Sequence, residues 1–448
     1  MAFVHLHNHS EYSLLDGATR IKDIVKRAAE LDMPAVAITD HGVMCGVPEL
    51  EDACKEVEKE TGKKVKPLFG CEIYFTTEEE PSFETRSTLY HLLLIAKTQE
   101  GYHNLVNLVS QSHIDYFYYK PRTTFAMLQK YGHGIIASSA CLAGIVPRML
   151  DRGQYDEAVR WAKKLASCFD EGDFYIELQN QGLITDSGIT QTQLNHQLKR
   201  VADECGFKTI ATNDFHYLRQ EDAPAQDILM CIGMGAQLDD ENRMRFENDQ
   251  FYMKTEEEMR AALADFPEAC DNTVEIAEKC NVVLERDSIL PRFPLPEGET
   301  EESYFRKKCE QGLAKRYGPD WRNVEVAGIN VAERYEHEAG IIIQQGFPAY
   351  FLIVQEYIMW AKDHDIGVGP GRGSAAGSIV AYAMEITDLC PLANCLLFER
   401  FLSVERVEMP DIDVDFDDQR RPEVIEHVRE VYGADRISGV ITFTKLKA

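Results

Sequence analysis

Between residues 3 and 214 the sequence alternates short apolar runs with amphipathic stretches about seven times, and few folds accommodate that order. The runs FVHLHN (3–8), AVAITD (35–40), KPLFGCEIYF (66–75), HLLLIAK (91–97), GIIASSA (134–140), FYIELQ (174–179) and KTIATND (208–214) read as strands. Helical patterns fall at 20–32, 48–62, 100–112, 154–168 and 189–205, and the acidic EEEP at 78–81 reads as an exposed loop. A series of β–α units is the pattern of a parallel barrel or a doubly wound sheet.

The pattern changes at SILPRFPLPEG (288–298), where three prolines mark a linker. Helical stretches follow at 301–317, 328–345 and 349–363, then the Gly-rich GPGRGSAAGS (369–378) running into SIVAYAMEI, a helix candidate. The expected organisation is therefore a β/α domain at 1–287, a linker at 288–300 and a second domain at 301–448. No run approaches the 18 apolar residues of a membrane span, and the start does not read as a signal peptide. Twelve scattered cysteines without a CxxC pair point to reduced thiols and a cytoplasmic protein. A net charge of −28 argues against sequence-independent nucleic-acid binding by this chain alone. It leaves open enzymes that meet phosphates through metal ions, because carboxylate clusters make a chain acidic.

Polar residues recur at the strand ends, where active sites gather in barrels and doubly wound sheets. His5, His7 and His9 alternate along the first run, and on a straight strand they share one face. Asp16 follows in the next loop; Asp40 and His41 end the second run; Glu72 lies inside the third; His91 begins the fourth. Cys141 and the pair Asp214 and His216 follow later runs. Taken singly, His91 reads as a satisfied strand histidine and Cys141 as a small buried hydrophobe. Glu72, between Cys71 and Ile73, is costly to bury unless paired or bound to a cation. Together these residues point to a multi-metal site.

HLHNHS, ITDHG, GCEIY, SSACL and TNDFHY resemble the motifs of the polymerase and histidinol phosphatase (PHP) family. The resemblance implies a distorted seven-unit β/α barrel in which His7, His9, Asp16, His41, Glu72, His91, Cys141, Asp214 and His216 hold two or three metals. Imidazole and carboxylate ligands suit Zn²⁺, Mn²⁺ or Fe²⁺. Such ions lower the pKa of bound water to roughly 7 and clamp phosphate oxygens, so phosphoester hydrolysis is expected. His5 matches no family ligand and is expected at the surface or behind the ligands, and Asp40 is expected to orient His41.

MPDIDVDFDD (409–418) sets Asp411, Asp413, Asp415 and Asp417 against Ile412, Val414 and Phe416 with period two. A strand here buries one face and presents a carboxylate row on the other, a layout that serves two-metal phosphoryl transfer. With GPGRGSAAGS, LLFERFL and ERVEMPDIDVDF, it resembles the palm of the C-family bacterial replicative polymerases, an α+β domain built like polymerase beta. The resemblance implies Asp411 and Asp413 as two of three catalytic carboxylates holding Mg²⁺, with Gly373 and Ser374 on the incoming triphosphate and Arg400 and Arg406 near phosphates or primer. The third carboxylate, the thumb, the fingers and the clamp-binding motif are expected beyond Ala448, so the palm is read as incomplete. Implied partners are primer-template DNA, dNTPs, a sliding clamp and other replisome subunits, and a proofreading subunit docked on the PHP barrel. The implied activities are template-directed DNA synthesis in the longer protein and 3′→5′ exonuclease action in the barrel. A stand-alone PHP phosphomonoesterase and a non-catalytic barrel that only docks a proofreading subunit are the rival readings.

Overall fold

The computed structural model describes every residue except 1, 85, 287–289, 404–408 and 445–448. The chain forms two compact units, Met1–Glu285 and Arg286–Ala448. No helix among the described residues is long and apolar enough to cross a membrane.

The first unit is built on eight strands: β1 (Ala35–Ile38), β2 (Lys66–Phe75), β3 (Tyr90–Ala96), β4 (Phe117–Tyr118), β5 (Lys120–Thr123), β6 (Ile135–Ser138), β7 (Phe174–Leu178) and β8 (Lys208–Ala211). They form one curled sheet in the order β4-β5-β2-β3-β6-β7-β8, with β1 paired to β2. Strand alternation divides the apolar residues between two cores. Leu92, Leu94 and Ala96 pack toward the helices, while Leu93 and Ile95 join Val4, Leu6, Leu68 and Ile210 inside the curl. Each helix covers the sheet with one face. In Ile21–Glu30 the buried residues are Ile21, Ile24, Val25, Ala28 and Ala29, the helical spacing of a single stripe. The helix Gln191–Cys205 begins at a Thr190–Gln193 capping box and stops at left-handed Gly206.

Two features depart from the sequence expectation. First, the sheet is mixed: β3 runs antiparallel to both β2 and β6. Among the described residues no helix lies between β2 and β3, and a parallel return needs a crossover of about a dozen or more residues, usually helical. Second, residues 3–8 form no regular strand. They run beside β1, with Ala37 N donating to His5 O, and a bend at His7 precedes a lone bridge from Asn8 to Phe215. The bend breaks the period of two, so His5 does not share a direction with His7 and His9.

The second unit packs the helices Glu301–Tyr317, Val331–Gln344 and Pro348–Asp363 around Phe305, Leu313, Tyr335, Phe351 and Phe398. Gly312 is needed for this packing, because a Cβ there would lie 1.8 Å from Ala383 O. The helix expected after the Gly-rich run is shorter than its pattern suggests: a 3₁₀ turn at Gly373–Gly377 and five residues at Ile379–Ala383. Around the carboxylate row only an isolated bridge, Val368 to Phe416, is present in place of the expected strand. The alternation survives, with Ile412 buried and Asp411, Asp413, Asp415 and Asp417 exposed.

Candidate metal centre

The sheet directions bring the polar strand ends to one place. His41 follows β1, Cys141 follows β6, and Asp214 and His216 follow β8, whereas His91 begins β3. Since β3 runs backwards, its start lies at the same end as the other strands' finishes. Glu72 shares its strand face with Leu68, and His91 shares one with Leu93 and Ile95, so both point inside the curl. The loop after β6 is held by Gly144: His91 N donates to Ala143 O at 3.1 Å, and a Cβ on Gly144 would lie 2.0 Å from Ser139 O. Ala140 (φ 58°) and Asp214 (φ 48°) are both left-handed, a conformation costing a non-glycine residue about 1 kcal/mol or more.

Glu72 is the hub of the pocket. Its Oε1 lies 3.1 Å from His7 Nε2 and 2.8 Å from His91 Nδ1, and its Oε2 lies 2.8 Å from His41 Nδ1 and 3.5 Å from His9 Nε2. Cys141 Sγ is 3.6 Å from Glu72 Oε1 and 3.5 Å from His91 Nδ1. Asp214 Oδ1 is 3.0 Å from His9 Nε2 and 3.4 Å from His7 Nε2. Asp16 Oδ2 is 3.3 Å from His41 Nε2 and 3.9 Å from His216 Nε2. The rings of His41, His9 and His216 stack in series at 4.0 and 4.2 Å. All nine residues singled out in the first unit therefore converge.

Hydrogen bonds behind the pocket fix the imidazole tautomers. His7 Nδ1 donates to Glu177 Oε1 at 2.7 Å. His216 Nδ1 donates to Asp214 O at 2.8 Å. Ser13 Oγ donates to Asp40 Oδ1 at 2.8 Å, so it accepts from His9 Nδ1 at 2.9 Å. Each of these rings keeps its proton on Nδ1 and turns the Nε2 lone pair into the pocket. His7 Nε2, His9 Nε2, His41 Nδ1, Asp16 Oδ1, Glu72 Oε2 and Asp214 Oδ1 are buried without a hydrogen-bond partner. An unsatisfied buried polar group costs about 1–3 kcal/mol, so a cluster of six such ligand-type atoms fits a cation better than an empty cavity. Ligand atoms of His9, His41 and His216, of His7, His9 and Asp214, and of His41, Glu72 and His91 lie within 4.8 Å of one another in each set.

Without a cation, protons balance the carboxylates: burial opposes charge on His7, but Asp214, Glu177 and Glu72 outweigh it and hold its pKa well above the ordinary value, so a cation entering the pocket displaces protons. Burial opposes charge on His41, but the Glu72 and Asp16 carboxylates outweigh it and push its pKa up to about 10. Burial, with His41 and His216 beside it, pushes His9 down to about 3. Burial also opposes charge on Glu72, yet the imidazoles of His91, His7 and His41 hold it well below the usual carboxylate range. The Cys141 thiol is held well above its ordinary value by burial and by the Glu72 and Asp214 carboxylates, a balance a bound cation reverses.

Two expectations are corrected. His5 is neither at the surface nor behind the ligands: it is buried, its Nε2 lies 2.9 Å from Lys254 O, and its ring meets Phe3 and Phe215 edge-on. Asp40 does not bond the His41 ring. It accepts from Ser10 N, Ser10 Oγ and Ser13 Oγ, and through Ser13 it sets the ring of His9. Sequence reasoning missed Glu177, which accepts from His7, Gln179 and the hydroxyls of Ser138 and Thr212. Its signal was the same as that of Glu72, a carboxylate between apolar residues of a buried strand.

In the second unit the Gly-rich run and the carboxylate row lie against each other. Gly369 N donates to Asp415 O at 2.8 Å, and a Cβ on Gly373 (φ 65°) would lie 3.4 Å from Asp413 Oδ2. Ser374 is exposed on the same turn, and Arg400 is exposed at the end of the turn Phe398–Arg400. Arg406 lies outside the described residues. Arg372, not singled out from the sequence, approaches Asp413 at 3.5 Å and Asp415 at 3.3 Å. Both pairs are exposed and contribute little to stability.

Comparison with known proteins gives the class first. Residues 5–181 match the family model of the PHP domain, and residues 303–448 match that of the bacterial DNA polymerase III alpha NTPase domain. The DNA polymerase III subunit alpha of Treponema pallidum is 41% identical over 452 residues, covering 100% of this chain and 37% of its own length. That of Borreliella burgdorferi is 42% identical over 454 residues, covering 99% of this chain and 38% of its own length. Among solved structures, an amidohydrolase from Chromobacterium violaceum aligns over 48% of this chain and 88% of its own, at 15% identity and a TM-score of 0.31. The chain thus carries a PHP domain followed by a DNA polymerase III alpha NTPase domain, and over its full length it is similar to proteins named DNA polymerase III subunit alpha. It spans less than two fifths of the length of these two curated relatives, 37% and 38%.

Proposed function

We propose that the first unit is a divalent-metal phosphodiesterase acting on DNA 3′ ends, and that the second carries part of the polymerase centre of a replicative DNA polymerase. The observation that carries the first half is the convergence of His7, His9, Asp16, His41, Glu72, His91, Cys141, Asp214 and His216, six of which keep a buried ligand-type atom without a hydrogen-bond partner. These residues would hold two or three divalent ions. Three carboxylates and a thiolate carry four negative charges, the charge of two such ions. The ions supply Lewis acidity toward water and toward phosphoryl oxygens.

The chain's own groups do the rest. Glu177, Ser13 and the Asp214 carbonyl keep protons on the outer nitrogens of His7, His9 and His216, so the inner lone pairs stay available. Asp16 and Asp214 fix the imidazoles around Glu72. The partly exposed His41, His91 and Cys141 form the side open to substrate. In the second unit Asp411 and Asp413 would hold Mg²⁺ for nucleotidyl transfer, with the Gly373–Ser374 turn on the triphosphate and Arg400 and Arg406 near phosphates or primer. Support comes from relatives named DNA polymerase III subunit alpha and from the packing of the Gly-rich run on the carboxylate row. The whole protein would then act on primer-template DNA and dNTPs, with clamp, replisome and proofreading partners.

The test is protein reconstituted with Zn²⁺ or Mn²⁺ and given a primer with a mispaired 3′ end. Mononucleotides are released by the wild type and not by His9→Ala. No release by the wild type, or equal release by the variant, overturns the reading.

A further inference from the structure

A loop that the metal centre does not account for lies along its rim. Residues 243–247 read RMRFE, two arginines interleaved with a methionine and a phenylalanine in a strongly acidic chain. The Phe246 ring meets His216 at 4.8 Å and 69°, so it touches a residue of the proposed centre directly. Its other neighbour is the buried Phe251, stacked at 4.3 Å and 14°. Phe246 remains partly exposed, although no part of the proposed chemistry calls for an aromatic there.

The loop is fixed at both ends. Arg243 forms a double ion pair with Asp227 at 2.5 and 2.7 Å, and Asn248 Nδ2 donates to Gln181 O at 2.8 Å. Asp227 lies on the helix Ala223–Met234, whose Gln226 donates to Asp16 O at 2.9 Å. The anchor of the loop and the carboxylate loop of the metal centre are thus one connected assembly. Arg243 is spent on this anchor. Arg245 is exposed and makes no ion pair among the described residues, although its charge reaches Asp227, and Met244 beside it is 52% exposed.

The geometry points to the Arg245–Phe246 segment as a platform for the terminal nucleotide of a single strand, with the base on the Phe246 ring and a backbone phosphate on Arg245. A partly exposed aromatic beside an exposed guanidinium is the combination that binds single strands without sequence preference. Contact between Phe246 and His216 would set the first phosphodiester beyond that base at the metal centre. This inference rests on the phosphodiesterase reading for its purpose, but its test does not need cleavage.

The test uses the whole 448-residue chain. Binding of a 5′-fluorescein oligothymidylate is followed by anisotropy, against the same probe ending in an abasic 3′ nucleotide. Phe246→Ala weakens binding of the first probe about tenfold and leaves the second unchanged, while Phe246→Tyr binds like the wild type. Phe246→Leu keeps an apolar contact with Phe251 but has no π face, and loses as much as the alanine variant. Arg245→Ala lowers the slope of log affinity against log salt by about 0.7, the loss of one phosphate contact. The inference is overturned if the wild type binds neither probe, if a folded Phe246→Leu binds like the wild type, or if the loss is equal on both probes. A wild type that binds in this way yet never cleaves refutes the phosphodiesterase reading and leaves the platform standing.

Discussion

Glu177 offers the sharpest check on how the proposed metal centre is built. It is buried and accepts four hydrogen bonds, from His7 Nδ1 at 2.7 Å, Gln179 Nε2 at 2.9 Å, and the hydroxyls of Ser138 and Thr212. In Glu177→Ala the hydroxyls can turn to other acceptors and Gln179 Nε2 keeps Thr212 Oγ1 at 3.1 Å, but His7 Nδ1–H is stranded. At about 1–3 kcal/mol for a stranded buried group, the first unit loses about 1–3 kcal/mol of stability. Glu177→Gln keeps the volume and one acceptor oxygen, so its metal-free stability stays within about 1 kcal/mol of wild type. It surrenders the charge that makes His7 a strong ligand, and loss of such a supporting group lowers metal affinity about 10–100-fold. Under excess Zn²⁺, the metal-dependent part of its stability then shrinks by about 1.4–2.7 kcal/mol. Urea unfolding with Zn²⁺ and with chelator measures both quantities. Trp161 is the one tryptophan of the first unit, so it reports that unit alone once Trp321 and Trp360 are replaced by phenylalanine. A Glu177→Gln protein with the full wild-type gain from Zn²⁺ and unchanged affinity would show that Glu177 does not support a ligand.

Lys254 gives a pH test away from the ligands. It is buried, its Nζ donates to Asn213 Oδ1 at 3.0 Å, and burial lowers its pKa to about 8 against partial opposition from Glu258 and Asp249. The folded state therefore holds this proton less tightly than the unfolded state, and unfolding takes up protons between about pH 8 and 10.5. Stability of the first unit rises by about 3 kcal/mol across that window relative to Lys254→Met; parallel wild-type and variant curves in pH-dependent urea unfolding would refute the assignment. In the second unit, Gly312→Ala sets a Cβ 1.8 Å from Ala383 O and lowers that unit's stability by about 1–3 kcal/mol while Trp161 reports no change. Unfolding of Trp321 and Trp360 at the wild-type midpoint would mean that the helix does not approach so closely.

The alternation of apolar runs located six of the strands within a few residues, because burial on both faces leaves a local signature. Strand direction leaves none: β3 is as apolar as a parallel strand, and only the missing helix between Phe75 and Tyr90 hinted that it turns back. The direction of β3 explains why His91 begins its strand while His41, Glu72, Cys141, Asp214 and His216 lie late in theirs or just beyond. The two-residue strand β4 and the short β5 went unread because they carry almost no apolar pattern. His5 misled because a period of two was extended through a bend that neighbouring elements impose. Ser13 could not be read as the support of His9, since that role depends on Asp40 arriving from another strand end. Glu177 was legible by the criterion already applied to Glu72, and was passed over because it matches no ligand motif.

The two units handle carboxylates in opposite ways, and the difference bears on how each would hold a cation. In the first unit Glu72, Asp214 and Asp16 are 1%, 7% and 5% exposed and are surrounded by imidazoles whose tautomers are fixed from behind. Desolvation has been met by the fold, so a cation entering that pocket gains nearly the whole ligand set at once. In the second unit Asp411 and Asp413 stand in water on an extended segment, with the Arg372 guanidinium 3.5 Å from Asp413. There a cation gains only a few oxygens and must share them with a guanidinium, so tight binding has to wait for oxygens brought by a phosphate. On the proposed reading, burial favours a resident metal in the first unit and a metal that arrives with substrate in the second. A net charge of −28 is compatible with the proposed phosphate chemistry, because at each proposed site the anion would meet a cation before it meets the protein's own acids.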